Sequence, residues 1–239
     1  MTTPLAIRHD DERAQQLAQA IRGGDATRLK AMLAAAPDLA TCVLVDEKGA
    51  GRSLLHVATD WPGHFPNCRE TIALLAQAGA DPDAGLADSP VDAFEKPLHW
   101  AASSDDVEAI DALLDNGADI EASGAVFTGG TPMSDAVVFA QWRAAERLLA
   151  RGAVTTLWQA AALGLYERVR ELADSATEGD LTSALWHACR GGQRATAELL
   201  LDRGADINWI GFMDWTPLRA AKESGNKGLV AALEKRGAK

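Results

Sequence analysis

The 239-residue chain has a single Tyr, only three Cys and fewer basic than acidic side chains. It also has no apolar run near the roughly 18 residues that a membrane-spanning helix requires, so no membrane association is expected. Cys42, Cys68 and Cys189 are odd in number and lack the paired spacing of a zinc site. A disulfide framework and a structural metal are therefore excluded, and reduced thiols in a cytoplasmic protein are expected. With 23 Lys and Arg against 34 Asp and Glu, the net charge of -11 repels phosphate backbones and argues against a nucleic-acid partner. The opening residues carry no apolar stretch and meet charges at Arg8, Asp10, Asp11 and Glu12, so no secretory leader is expected. Catalytic signatures are missing as well: there is no G-x-S-x-G, no H-E-x-x-H and no paired-Cys motif. The glycine-bearing segment Glu47–Ser53 lacks both the spacing and the strand context of a phosphate loop, and no cofactor is expected. What is present, 47% hydrophobic and 24% charged residues, is the composition of a folded globular chain.

A repeat organises that composition. Gly-Ala closes an apolar helical run at Gly79, Gly117, Gly152, Gly204 and Gly237, with gaps of 38, 35, 52 and 33 residues. Upstream lie helix-starting segments: Ser53-Leu54-Leu55-His56, Lys96-Pro97-Leu98-His99, Thr131-Pro132-Met133-Ser134 and Thr216-Pro217-Leu218-Arg219. In Thr216-Pro217 the hydroxyl suits a helix N-cap, and Pro suits the first helical position, where no donor is required. Small pairs such as Ala101-Ala102, Ala160-Ala161 and Ala188-Cys189 let helices approach closely. Val107, Ile110, Leu113 and Leu114 have the spacing of a second, amphipathic helix. Gly117 and Gly204 follow Asn116 and Arg203, where glycine can take the left-handed conformation that stops a helix.

This pattern resembles the ankyrin-repeat family, whose unit of about 33 residues opens with T-P-L-H-x-A. Aligning its His gives Ala18, His56, His99, Ser134, Trp158, Trp186 and Arg219. The resemblance implies an all-α solenoid of about seven helix-turn-helix units with short hairpin loops. Units one and five are degenerate, and unit two carries an insertion. Residues 1–11 are expected to form an N-terminal arm. The units fall at approximately 12–46, 47–89, 90–126, 127–153, 154–179, 180–211 and 212–239. The resemblance further implies structural roles for His56, His99, Thr131, Pro132, Thr216, Pro217, Gly79, Gly117, Gly152 and Gly204. The two His would bridge adjacent units through loop backbone.

Function must be sought where the chain departs from the repeat, because one fold hosts many activities. The insertion Thr59–Cys68 carries Trp61, His64 and Phe65. Asp60, His64 and Cys68 have helical spacing, but Pro62, Gly63 and Pro66 forbid a continuous helix. The segment is therefore read as a long turn with Trp61 and Phe65 packed down as a lid, and no metal site is expected. Trp158 and Trp186 replace the repeat His and are expected to fill space left by the short fifth unit. Positions one residue after the aligned His are expected to line the concave groove: Val57, Trp100, Asp135, Gln159, His187 and Ala220. Trp215 lies near a loop tip. The groove has no basic stripe of the kind that reads phosphates.

These features imply a monomeric interaction module that binds a protein partner, basic in character, on its concave face and unit-two insertion. Trp61, His64, Phe65, Trp100, Asp135, Gln159, His187 and Trp215 are the candidate contacts. An alternative reading is a small-molecule enzyme with an acid–base pocket between units two and three, using His56, Asp60 and His99. A further option is self-association, with Leu5 and Ile7 of the arm covering a partner's stack.

Overall fold

A computed structural model describes residues 4–86 and 95–239. The chain forms two compact bodies, Met1–Ala153 and Val154–Lys239. The first holds α1 (Glu12–Arg22), α2 (Ala26–Ala35), α3 (Leu54–Thr59), α4 (Cys68–Gln77), α5 (Pro97–Ser103), α6 (Val107–Asp115), α7 (Pro132–Val138) and α8 (Trp142–Ala150). The second holds α9 (Leu157–Ala162), α10 (Tyr166–Ala173), α11 (Glu178–Arg190), α12 (Arg194–Asp202), α13 (Pro217–Ser224) and α14 (Lys227–Lys235).

Each body is a two-layer stack of helix pairs. In the first, α1, α3, α5 and α7 pack in sequence as an inner row, and α2, α4, α6 and α8 back them as an outer row. In the second, α11 packs between α9 and α13, with α10 and α12 behind. The inner helices sit close because small residues face each other: Ala101, Ala102, Ala160, Ala161, Ala188, Ala220 and Ala221 are fully buried. Leucines and isoleucines fill the space between the layers, among them Leu55, Ile72, Leu75, Leu98, Ile110 and Leu113. Burying each such side chain stabilises the fold by about 1.5–3 kcal/mol.

The helix signals act as their chemistry requires. Ser53 Oγ accepts the amide of His56 at 3.3 Å, and Thr216 Oγ1 accepts the amide of Arg219 at 3.3 Å. Pro97, Pro132 and Pro217 occupy first helical positions. Gly79, Gly117, Gly152 and Gly204 follow outer helices with φ of 104°, 96°, 99° and 95°, a region that costs any residue with a Cβ. The fifth helix pair lacks such a glycine, and α10 runs out at Asp174 in an ordinary right-handed conformation.

The all-α expectation is amended at the start of the chain. β1 (Ala6–Arg8) lies parallel to β2 (Val43–Val45), which pairs antiparallel with β3 (Gly51–Ser53). The cause is in the sequence: Ile7 is apolar between two outward-facing neighbours, and it is buried in a strand that packs against α1 of the same chain. Ile7 is therefore committed within its own molecule, which removes it from the proposed cover over a second copy. Residues 1–3 of the expected arm lie outside the described residues, as does 87–94 at the junction expected between units two and three.

Ring nitrogens tie neighbouring pairs together. His56 Nε2 donates to the carbonyl of Glu95 at 3.0 Å, and His99 Nε2 donates to that of Gly130 at 3.2 Å. In the second body Trp186 Nε1 donates to the carbonyl of Trp215 at 3.0 Å. Each acceptor lies just ahead of the start of the next inner helix. In both His rings the second nitrogen meets a donor: Ser53 Oγ lies 2.8 Å from His56 Nδ1, and the Lys96 amide lies 3.2 Å from His99 Nδ1. That arrangement fixes the neutral ring with its proton on Nε2. Burial pushes both imidazoles down to about 4.

The outer row is joined by charge. The Arg before three of the helix-stopping glycines reaches an acid at the end of the preceding outer helix. Arg151 meets Asp115 at 2.8 Å, Arg203 meets Asp174 at 2.8 Å, and Arg236 meets Asp202 at 2.7 Å. These pairs are largely exposed, so solvent screens them and they add little to stability. Asp111 is different: it is buried and takes Arg147 through two bonds of 2.7 and 2.6 Å, with Arg151 at 2.7 Å. Its burial is more than offset by those guanidinium bonds, which hold its carboxyl below the usual range.

The His bridges generate a pH prediction. Because the folded-state pKa values lie below that of a free imidazole, their stability is present above about pH 6.5. It is lost as pH falls toward about 4, where the unfolded chain binds protons that the folded rings refuse. Urea unfolding should show His99→Gln less stable than wild type at pH 7 by about 2–3 kcal/mol. It should also lose less of its midpoint than wild type between pH 7 and pH 4.5. Equal losses in the two proteins would remove His99 from the titration.

Candidate functional site

Candidate site residues fall in three places, the first being the insertion. Asp60 Oδ2 accepts Arg22 at 2.6 Å and Arg52 at 3.1 Å, while its Oδ1 accepts the amide of Trp61 at 3.0 Å. His64 Nε2 donates to the carbonyl of Ser104 at 3.1 Å, and its amide donates to Asp106 Oδ2 at 2.6 Å. Asn67 Nδ2 donates to the carbonyl of Gly24 at 3.0 Å. The turn is thus pinned on one side to the end of α1 and on the other to the α5–α6 turn. His64 and Asn67 accept left-handed φ of 57° and 51° to allow this. Asp60, His64 and Cys68 serve three separate purposes, Cys68 being buried with its thiol pushed up to about 12. Among the described residues no three His, Cys, Asp or Glu converge as metal ligands. The lid expectation is corrected at Trp61: its ring is 81% exposed on this fixed turn, while Phe65 is half-buried.

The second place is the inner row of the first body. Trp100 is partly exposed, meets the His56 ring edge-on at 4.9 Å, and donates through Nε1 to Glu95 Oε2 at 3.3 Å. Asp135 on α7 has zero exposure, and its carboxylate has no partner beyond a weak contact with the Val126 amide. Burial, reinforced by the nearby Glu95 carboxylate and only weakly offset by the Val126 amide, pushes its carboxyl up to about 8. Burial likewise raises Glu95, against the hydrogen bond from Trp100. Beside Val126, Phe127 is 71% exposed and its ring lies 5.8 Å from that of Phe139.

The third place is an aromatic cluster in the second body. His187 lies 4.6 Å from Trp158, 5.1 Å from Trp186 and 5.3 Å from Phe212, ring centre to ring centre. Burial with Arg190 nearby pushes its imidazole down to about 3. Arg190 and Arg219 stand 6.0 and 5.6 Å from the Trp215 ring. At the adjoining loop tip, Met213 and Asp214 have φ of 59° and 55°, which turns Phe212 and Met213 outward.

The groove alignment needs correction at three candidates. Asp135, Gln159 and His187 are buried and offer no surface for contact, as are Val57 and Ala220. Close packing of the short inner helices covers the position after the aligned His, and of these positions only Trp100 is partly exposed. Gln159 instead closes the start of α9, its Oε1 accepting the Thr156 amide at 2.8 Å. Trp186 does more than fill space, since it supplies the bridge that His supplies elsewhere.

The acid–base pocket expected between units two and three does not assemble from its named groups. His56 and His99 are spent on carbonyls, and Asp60 on two arginines. A cavity of about 680 Å³ lies elsewhere, between α1, the β2–β3 hairpin and α3, lined by His9, Gln15, Arg22, Asp46, Arg52 and Val57. Sequence reasoning missed Phe127, Phe139, Phe212 and Met213. For Phe127, Phe212 and Met213 the available signal was apolar residues in stretches just ahead of Thr131 and Thr216, where the repeat expects polar hairpin tips, whereas Phe139 ends α7.

Comparison with known proteins agrees with this architecture. The family model for ankyrin repeats in three copies matches residues 157–239, and that for a single ankyrin repeat matches 94–122. These two matched stretches are ankyrin-type repeats by sequence, and the helix pairs of both bodies have the corresponding form. Among solved structures it is similar to the ankyrin repeat domain of human ASB11. The two share 23% identity at a TM-score of 0.55, over 93% of this chain and 98% of that one. This likeness speaks to the fold. No curated protein matches. Among the described residues no helix is long and apolar enough to cross a membrane.

Asp135 gives a testable stability signature. Its folded-state pKa is raised, so the neutral form is favoured in the fold and its stability is present below about pH 4, then lost as pH rises toward about 8. Asp135→Asn, which cannot ionise, should match wild type near pH 4 and exceed it at pH 7.5 by roughly 4–5 kcal/mol in urea unfolding. A pH-independent difference would show that Asp135 does not titrate this way.

Proposed function

We propose that the protein is an interaction module that holds a protein partner against its inner-row face and its unit-two insertion. Ankyrin repeats generally mediate protein–protein interaction. The observation that carries the reading is large apolar side chains displayed on pinned backbone. Trp61 stands exposed on a turn fixed at both ends, Phe127 and Phe212 stand exposed on loops of their own bodies, and Trp100 and Trp215 are partly exposed. Rigid, exposed aromatics are the residue types that dominate binding energy at protein interfaces. The seven units, at the boundaries given above, would act as the scaffold, and the module would work as a monomer. The excess of acidic side chains favours a basic partner through electrostatic steering. Cys42, Cys68 and Cys189 are free and buried, as suits a cytoplasmic protein.

Affinity capture of the tagged full-length chain at native expression tests this reading. Wild type should retain a specific protein partner, and Trp61→Ala and Trp100→Ala should each reduce its recovery by about tenfold, the loss of one anchor of at least 1.4 kcal/mol. Unchanged recovery with both substitutions would reject the assigned face.

A further inference from the structure

The first helix pair lacks the bridging ring of the second and third. At the position aligned with His56 and His99, α1 carries Ala18, whose methyl group cannot reach forward to the next inner helix. Ala18 instead lines the cavity of about 680 Å³ between α1, the β2–β3 hairpin and α3, a size typical of ligand pockets. The floor of this cavity is apolar: Leu44 of the hairpin and Val57 of α3 are buried there. Gln15, Gln19 and Arg22 follow one another along one face of α1 and form a polar wall.

Charge decides what the cavity takes. Arg22 Nη2 and Arg52 Nη1 both donate to Oδ2 of Asp60, at 2.6 and 3.1 Å, so the two guanidiniums stand side by side. Two positive charges thus share one carboxylate, and among the described residues neither arginine has a second acidic partner. A guanidinium carries several N–H donors, and most of them are left for another acceptor. The other carboxylate of the lining, Asp46, is spent at the hairpin tip, where its Oδ1 accepts the Lys48 and Ala50 amides at 2.8 and 2.9 Å. We propose that the cavity binds a short extended segment of the protein partner, and that Arg22 and Arg52 together hold one carboxylate side chain of that segment. Leu44 and Val57 pack beneath it, and the Gln15 and Gln19 amides hydrogen-bond its backbone. The surplus at the arginine pair is a single charge, which matches a carboxylate and not a phosphate dianion. The inference rests on the protein-interaction reading above and adds one acidic position to a partner that is basic as a whole. Asp60 also accepts the Trp61 amide through Oδ1 at 3.0 Å, so the arginine end of the cavity adjoins the turn that displays Trp61.

A library of random linear octapeptides displayed on phage, selected on the full-length chain, tests the site without reference to any captured partner. Selected peptides should share an Asp or Glu at one fixed position. Replacing that residue by Asn or Gln in the synthetic peptide should weaken binding by about tenfold or more. NMR should place the acidic peptide in the cavity, through saturable shifts of the Val57 methyl groups and of the Gln15 and Gln19 side-chain amides. Arg52→Gln should abolish the preference for the acidic peptide over its amide counterpart. Arg52 also pins Asp60, so Gln15→Glu, on the exposed face of α1, keeps the test independent of folding. It should weaken the acidic peptide by about threefold or more, and Gln15→Lys should strengthen it, with the amide peptide unchanged in both. No binding peptide, a selection without an acidic position, Val57 methyl groups unmoved at saturation, or affinity indifferent to the charge at residue 15 would overturn the proposal. Any of these alongside Trp61-dependent partner capture would leave the interaction reading standing.

Discussion

The stack depends on one interaction, the hydrogen bond from a buried ring N–H to the carbonyl just ahead of the next inner helix. A helix of six or seven residues cannot hold itself together in water, since most helical stability in proteins comes from packing. Its start must therefore be placed by its neighbour. His56 and His99 do this in the first body and Trp186 in the second. His brings two ring nitrogens, one to fix its own helix start and one to reach forward. Trp has only the forward donor, and its larger ring makes up the difference by packing against His187 and Phe212. The substitution of one ring for another keeps the geometry and changes the pH response.

With the inner helices so placed, other contacts follow at the same offsets. Asn67, Gln141 and Asn226 each send a side-chain amide to a carbonyl in the preceding pair's turn, at 3.0, 2.9 and 2.8 Å. Arg151, Arg203 and Arg236 repeat the same reach between outer helices. The insertion is held by these local rules as well: it adds residues between α3 and α4, yet Asn67 still makes the backward contact and His64 adds a forward one. This explains how Trp61 can be both exposed and fixed. A side chain on a pinned turn loses little further entropy when it is covered by a partner.

The helical repeat was legible because its signals are local and redundant. A Pro at the first helical position, an amphipathic run and a glycine at the left-handed stop recur together, so losing one, as in the fifth pair, leaves the rest readable. The short sheet was not read, since three-residue strands give too little periodicity and the Ile7 signal is a single residue. The candidate surface was legible only in part. Alignment finds which residue follows the repeat His, but not that Asp135, Gln159 and His187 are buried while Trp100 stays partly exposed. That outcome depends on side-chain length and on how closely alanines let helices approach. Phe127 and Phe212 were passed over because a loop residue's exposure is set by backbone conformation, such as the left-handed φ at Met213, which no periodic pattern encodes.

The account stands on His56 and His99 being neutral rings with the proton on Nε2, held between a donor behind and a carbonyl ahead. Long-range 1H–15N correlation spectra of the imidazoles at pH 5.5 test this directly. The account predicts both rings in the neutral Nε2–H form at a pH where free imidazole is mostly charged, with slowly exchanging ring protons. Rings that are protonated at pH 5.5, or neutral with the proton on Nδ1, would contradict it.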